Sequence, residues 1–192
     1  IVVRNDRGLG VEKKPNRFYY GTGIKNRTGG EKDDEFIFEG AADLLKNGSK
    51  DSLLTTLQGS EGNDTLILDG NYPTPNKEQL GYHIDLNNGE LFIIGYNSAN
   101  QNRRKYRHTL LESIENVETL AGAENEVFGT DGPNMIKSRG VDSIQAGGGD
   151  DQIYMFNNRG SASGGAGKDE YAIAHKHGSV FITEDGIDES VI

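Results

Sequence analysis

The chain has 192 residues and a formal charge of −10, with 33% hydrophobic residues, no Trp and no Cys. Such a lean interior does not suit a large compact core, and the missing cysteines exclude both a disulfide framework and a thiol nucleophile. The net acidity argues against a nucleic-acid partner, and 27 glycines against 4 prolines mark a turn-rich chain rather than Pro-rich disorder.

Residues 1–28 open with IVVRND and carry Lys13, Lys14, Arg17, Lys25 and Arg27 beside Phe18, Tyr19 and Tyr20. They read as a lead-in strand and cap over the open end of a repeat array. A nine-residue pattern starts in TGGEKDDEFIF, where Gly29, Gly30, Asp34 and Phe36 fill positions one, two, six and eight. Lys32 stands at position four, where glycine is favoured, and predicts a strained turn. Asp43 with Leu45, Asp51 with Leu53, and Asp64 with Leu66 in GSEGNDTLI (59–67) extend this first array over 29–68. Asp34 and Asp51 are expected to bracket a metal on one edge, with Asp43 alone on the other. Asp64, out of step with the rest, has no partner that spacing can assign.

Residues 69–119 interrupt the period. GYHIDL (81–86) and ELFIIGY (90–96), flanking Asn87, Asn88 and Gly89, predict a β-hairpin. The polar, basic NSANQNRRKYRH (97–108) reads as an exposed loop. Ile114 and Val117 in the following ESIENVETL are expected to pack under the next coil. The period then resumes with units starting at 120, 129, 137, 146, 155 and 164, a second array over 120–172. Residues 173–192 read as degenerate repeats or a C-terminal cap, with Gly178 and Val180 on positions six and eight and Glu189 and Val191 after a small shift. His175 and His177, two apart, read as surface strand histidines rather than a zinc pair.

The unit has a physical logic. Glycines supply positive φ and let backbone pass close to backbone, so six residues make a tight turn. A short strand follows, with its position-eight side chain inward, worth roughly 1.5–3 kcal/mol per buried residue. Two units make one coil, so each turn lies over the turn two units earlier. The acidic residues then crowd together and repel unless a cation sits among them.

GGAGKDEYA (164–172) and AGGGDDQIY (146–154) resemble the RTX (repeats in toxin) nonapeptide GGxGxDxUx, and TLLESIENVETLAG resembles the lead-in that precedes such arrays. The resemblance implies an all-β fold, a parallel β-roll in two short arrays with an inserted hairpin and loop, holding roughly two to four Ca2+ ions. The ligands it implies are the side chains of Asp34, Asp43, Asp51, Asp64, Asn134, Asp142, Asp151 and Asp169, with backbone oxygens at Gly30, Gly62, Gly147, Gly149, Gly165 and Gly167. The family's stacking rule implies that turns 129, 146 and 164 share one edge, with Asp151 between Asn134 and Asp169. Asn125, Asp142 and Gly160 then share the other edge, where metal is expected to be weak or absent.

No catalytic constellation stands out: paired acids such as Asp33 with Asp34, or Asp150 with Asp151, are neighbours that diverge in a turn, and no phosphate loop or HExxH occurs. The expectation is therefore a non-enzymatic calcium module of a large secreted bacterial toxin, extracellular, folding on calcium after type I secretion. Both ends read as cut from a longer chain whose other domains are partners, and neither a secretory h-region nor a bilayer-length apolar run occurs in the sequence. Two alternatives remain. One is an adhesin-type or carbohydrate-binding module that meets a host-cell surface or glycan through Tyr82, Tyr96 and Tyr106 of the insert; the other is a rigid spacer that binds little metal.

Overall fold

The structure, a computed structural model, describes residues 2–3, 15–20, 26–42, 55–72, 79–96, 103–157, 159–174 and 179–183. It is all-β, with the strands in two sheets. The first sheet runs β1 (Val2–Val3), β2 (Arg17–Tyr20), β4 (Glu35–Phe38), β6 (Thr65–Leu68), β10 (Asn116–Glu118), β12 (Met135–Ser138), β14 (Gln152–Met155) and β16 (Glu170–Ile173), every pair parallel. The second runs β3 (Asn26–Thr28), β5 (Thr55–Gln58), β9 (Arg103–Glu112), β8 (Glu90–Tyr96), β7 (Gln79–Asp85), β11 (Glu126–Phe128), β13 (Asp142–Gly148), β15 (Arg159–Ala166) and β17 (Ser179–Thr183). From β2 onward the chain crosses from one sheet to the other at each step, except through β7, β8 and β9.

Most of these strands are too short to hold structure alone; they are stable because they bury apolar side chains between the two sheets. Phe18, Phe36, Leu66, Val117, Ile136, Ile153 and Tyr171 lie side by side across the first sheet. Ile84, Val127, Ile144 and Ala162 do the same in the second, and both rows belong to a single core. The position-eight residues Phe36 and Leu66 take the inward places their pattern predicts, and the rings of Phe18 and Phe36 stack at 5.1 Å. Leu45 and Leu53 lie outside the described residues, as do Asp43, Asp51, His175, His177, Glu189 and Val191.

The segment after β6 departs from simple winding. β7 and β8 form the expected hairpin, with Asp85 opposite Glu90 and Gly89 at φ 68°. Residues 103–108, expected as part of a loop, instead belong to the strand β9, antiparallel to β8 and parallel to β5. The meander thus sits inside the second sheet, with β9 against β5 and β7 against β11, while β6 and β10 are direct neighbours in the first. The second sheet is longer there by two strands, about 10 Å. Ile114 and Val117 pack into the core as expected.

Three further expectations change. β2 and β3 pair as the later strands do, with Asn16 at position six and Phe18 at position eight. Arg27, expected in an exposed basic patch, is 2% exposed and donates to the Asn26 carbonyl oxygen. Tyr82, expected on a ligand-facing surface, is fully buried, with its hydroxyl donating to the Ala41 carbonyl oxygen at 2.8 Å.

Leu66→Ala, at the centre of the first sheet's inner row, is expected to cost about 2–5 kcal/mol, whereas Glu170→Ala on the exposed face of β16 should stay within about 0.5 kcal/mol. Urea unfolding of the two variants under identical buffer conditions measures the contrast.

Candidate functional site

The turns that carry the chain from the second sheet to the first stack along one edge, and their sixth residues form a column. In order these are Asn16, Asp34, Asp64, then Asn134, Asp151 and Asp169, with Glu115 standing in where the turn between β9 and β10 is short. Five backbone amides of the column donate to a carboxylate of the next coil. Asn16 N reaches Asp34 Oδ1 at 2.6 Å, Asp34 N reaches Asp64 Oδ1 at 2.7 Å, and Asp64 N reaches Glu115 Oε2 at 2.8 Å. Beyond the junction, Asn134 N reaches Asp151 Oδ1 at 2.7 Å and Asp151 N reaches Asp169 Oδ1 at 3.0 Å. Asp151 therefore lies between Asn134 and Asp169. Asp34 stacks on Asp64, its strand β4 lying between β2 and β6; Asp51, the partner expected for it, lies outside the described residues.

Glycine makes this stacking feasible at two positions of the turn. Gly165 has φ 96°, and a Cβ there would fall 2.1 Å from the Gly147 carbonyl oxygen of the coil before. Gly167, at φ 136°, stands in the same relation to the Gly149 oxygen. The strain expected at Lys32 lies elsewhere: the described non-glycine residues with positive φ are Ser60, at 83°, and Ser113, at 50°. Ser60 takes the second-position place that Gly147 and Gly165 hold in their own turns, at a cost of about 1–2 kcal/mol.

The carboxylates in the column are sunk below the surface. Asp34, Asp64, Asp151 and Asp169 are each 1% exposed or less. Asp34 is satisfied at both oxygens, since Gly30 N also donates to its Oδ2 at 2.7 Å. Asp64 Oδ2 and Asp151 Oδ2 are buried without a hydrogen-bond partner. Burial pushes the Asp64 carboxyl up to about 7, against the pull of the Asp34 amide and with added repulsion from Glu115, Asp34 and Asp33. Burial likewise pushes Asp151 up to about 7, against the Asn134 amide and with repulsion from Asp169 and Asp150. An open cleft of about 390 Å3 runs beside this edge and collects Asp33, Asp34, Glu35 and Asp150.

The opposite edge is built differently. Asn125 and Asp142 stack there, and Asp142 pairs with Gly160 of the following coil, as expected. Asp142 accepts from Asn125 Nδ2 at 2.7 Å and from Thr119 Oγ1 at 2.5 Å. Burial raises its carboxyl, opposed by these donors.

The donor set suits a hard cation. All the atoms concerned are oxygens, and at Gly59 a Cβ would lie 2.2 Å from Asp64 Oδ2 and 1.9 Å from the Ser113 carbonyl oxygen. That gap between oxygens of adjacent coils is open only because residue 59 has no side chain. Among the described residues no group of three or more His, Asp or Glu side chains is placed to hold a metal by itself. A cation on this edge therefore takes most of its ligands from backbone oxygens. Sequence reasoning missed Asn16 and Glu115; the spacing of 18 residues from Asn16 to Asp34 is the signal that identifies the first. It also missed His83 on the outer face of β7, whose Nδ1 lies 2.9 Å from Glu126 Oε2 with Phe92 and Phe128 against the ring.

With chelator present, stability should rise as the pH falls from about 7 towards 4. The folded state then holds protons on Asp64 and Asp151 that the unfolded chain, with ordinary carboxylates, releases, so the stabilisation is lost as pH climbs through the raised values. Thermal melts in EDTA across this range measure the slope, and an Asp64→Asn, Asp151→Asn double variant should flatten it. No protein-family model matches the chain, and no curated protein matches it.

Proposed function

We propose that the chain is a calcium-binding module of the RTX type, a parallel β-roll whose stacked acidic edge takes up Ca2+ and thereby completes its folding. The observation that carries this reading is the pair of buried carboxylate oxygens, Asp64 Oδ2 and Asp151 Oδ2, left without a donor on the same edge. A buried anion without a partner is costly, and a divalent cation removes that cost while drawing adjacent coils together. Asp64, Asp151 and Asp169, with carbonyl oxygens of the neighbouring turns, would hold it. Bound calcium supplies positive charge and ties one turn to the next; every other stabilising contact belongs to the chain.

The same reading supplies a biological role. A site of extracellular strength, with Kd of order 10⁻⁴ to 10⁻³ M, leaves the module unsaturated where calcium is scarce and saturated where it is millimolar. That matches a large secreted protein, a toxin by resemblance, that exports this segment unfolded and assembles it outside the cell beside its other domains. The glycan-binding alternative loses one of its three tyrosines, because Tyr82 is in the core. Among the described residues no helix is long and apolar enough to cross a membrane.

Isothermal titration with CaCl2, followed by circular dichroism in calcium and in EDTA, tests the proposal. Calcium should bind, raise the melting temperature and strengthen the strand signal, with acidification weakening binding as protons compete for Asp64 and Asp151. Asp151→Asn should weaken calcium binding at its site by at least about tenfold. Absence of binding at 10 mM calcium, or melting curves that superimpose with and without EDTA, would sink the reading.

A further inference from the structure

The sixth-position residues fall into two chemical classes, and the difference lies in where the neighbouring coil points its side chain. Asn16 donates twice to Asp34 Oδ1, through its backbone amide and through Nδ2 at 2.9 Å, and Gly30 N covers Oδ2. Asn125 Nδ2 donates to Asp142 Oδ1 at 2.7 Å while Thr119 covers Oδ2. In both places an Asn side chain on the preceding coil brings the positive end of an amide dipole to a buried carboxylate. Asp64 has no such help, because the residue before it in the column is Asp34, which offers a backbone amide alone. Asp151 follows an asparagine, yet Asn134 turns its Nδ2 the other way, to the Glu115 carbonyl oxygen at 2.6 Å and to Thr130 Oγ1 at 2.9 Å. Asp64 and Asp151 each keep a buried, unpartnered oxygen.

We infer that the side-chain amides of Asn16 and Asn125 stand in for a cation at Asp34 and Asp142, so that calcium is required at Asp64 and Asp151 but not at those two, and the opposite edge is built to hold without metal. This rests on the calcium reading for the metal-requiring half; the amide half stands on the hydrogen bonds alone. The module is then only partly calcium-dependent. Its Asn125 and Asp142 edge, closed by Val141 N to the Ala123 oxygen and Ser143 N to the Asn125 oxygen, remains formed in chelator, while the turns of Asp64 and Asp151 loosen. Asparagine at position six, which looks like a worn repeat in the sequence, is on this account a metal-independent version of the same joint.

Hydrogen exchange read by mass spectrometry on the whole chain, in EDTA and in calcium, tests both halves. In EDTA, peptides spanning 139–145 should keep their protection while those spanning 59–66 and 146–152 exchange faster, and calcium should slow the latter. Asn125→Asp should cost the 139–145 peptide roughly ten- to a hundredfold in protection in EDTA, with recovery in calcium, as an amide-satisfied joint becomes a cation-requiring one. Because that variant can unfold a wider region, Asn16→Asp makes the same change in the N-terminal coil, and native mass spectrometry counts the ions. Each Asn→Asp variant should gain a calcium ion, and Asp34→Asn should lose none. Equal responses of the two edges to EDTA, or an Asn125→Asp chain with unchanged exchange, overturn the inference even where calcium binds. If wild type binds no calcium, the calcium reading fails, and the EDTA comparison of wild type with Asn125→Asp still decides the amide half.

Discussion

A carboxylate sunk into the edge of a turn, accepting the backbone amide of the coil before it, is the interaction on which this structure depends. It sets the vertical spacing of the coils, because Oδ1 accepts the backbone N–H of the neighbouring coil. It also introduces a difficulty, since each rung of the ladder is a buried anion, and an anion out of water is stable only beside a matching positive group. Every unusual feature of the edge follows from how that group is supplied: a glycine amide, an asparagine side chain, a hydroxyl or, in our proposal, a cation.

The apolar interior is secondary to this. It joins a row of side chains from each sheet, Phe18 through Tyr171 and Ile84 through Ala162, to neighbours such as Phe38, Leu68, Leu91 and Ile93. Such a row favours burial but says little about which coil neighbours which, because Leu, Ile and Val at equivalent places are nearly interchangeable in volume. The turns discriminate where the core does not. A side chain at Gly165 or Gly167 would collide with the carbonyl oxygen of the coil before it, so glycine there permits the close stacking that brings carboxylate to amide.

The meander shows how far the winding tolerates interruption. β7, β8 and β9 add two strands to the second sheet without parting β6 from β10 in the first. The edge stays continuous there because Glu115, reaching from a shortened turn, offers Asp64 N the carboxylate that a sixth-position aspartate offers elsewhere. Past Glu115 the polarity changes: Asn134 donates its side chain back to the Glu115 carbonyl instead of receiving an amide from it. The two arrays therefore meet at Glu115, with a carboxylate hydrogen bond on the Asp64 side and a neutral one on the Asn134 side.

The amino-acid sequence by itself determined the repeat of nine and the hairpin at Asn87 to Gly89, through local rules of glycine conformation and strand alternation. The all-β class and the place of Asp151 between Asn134 and Asp169 were implied by the resemblance to the RTX repeat, and the spacing of 17 and 18 residues along the column agrees with that place. The tertiary structure alone decided that Asp64 sits on Asp34 across 30 residues, since an excursion of arbitrary length between coils erases the period without moving the coils apart. It alone turned the basic stretch from Arg103 into a strand, because pairing with β8 and β5 overrides a polar composition. It alone separated carboxylates with a full set of donors from those without. That distinction depends on which way the side chain of a neighbouring coil points, and residue order carries no information about that direction.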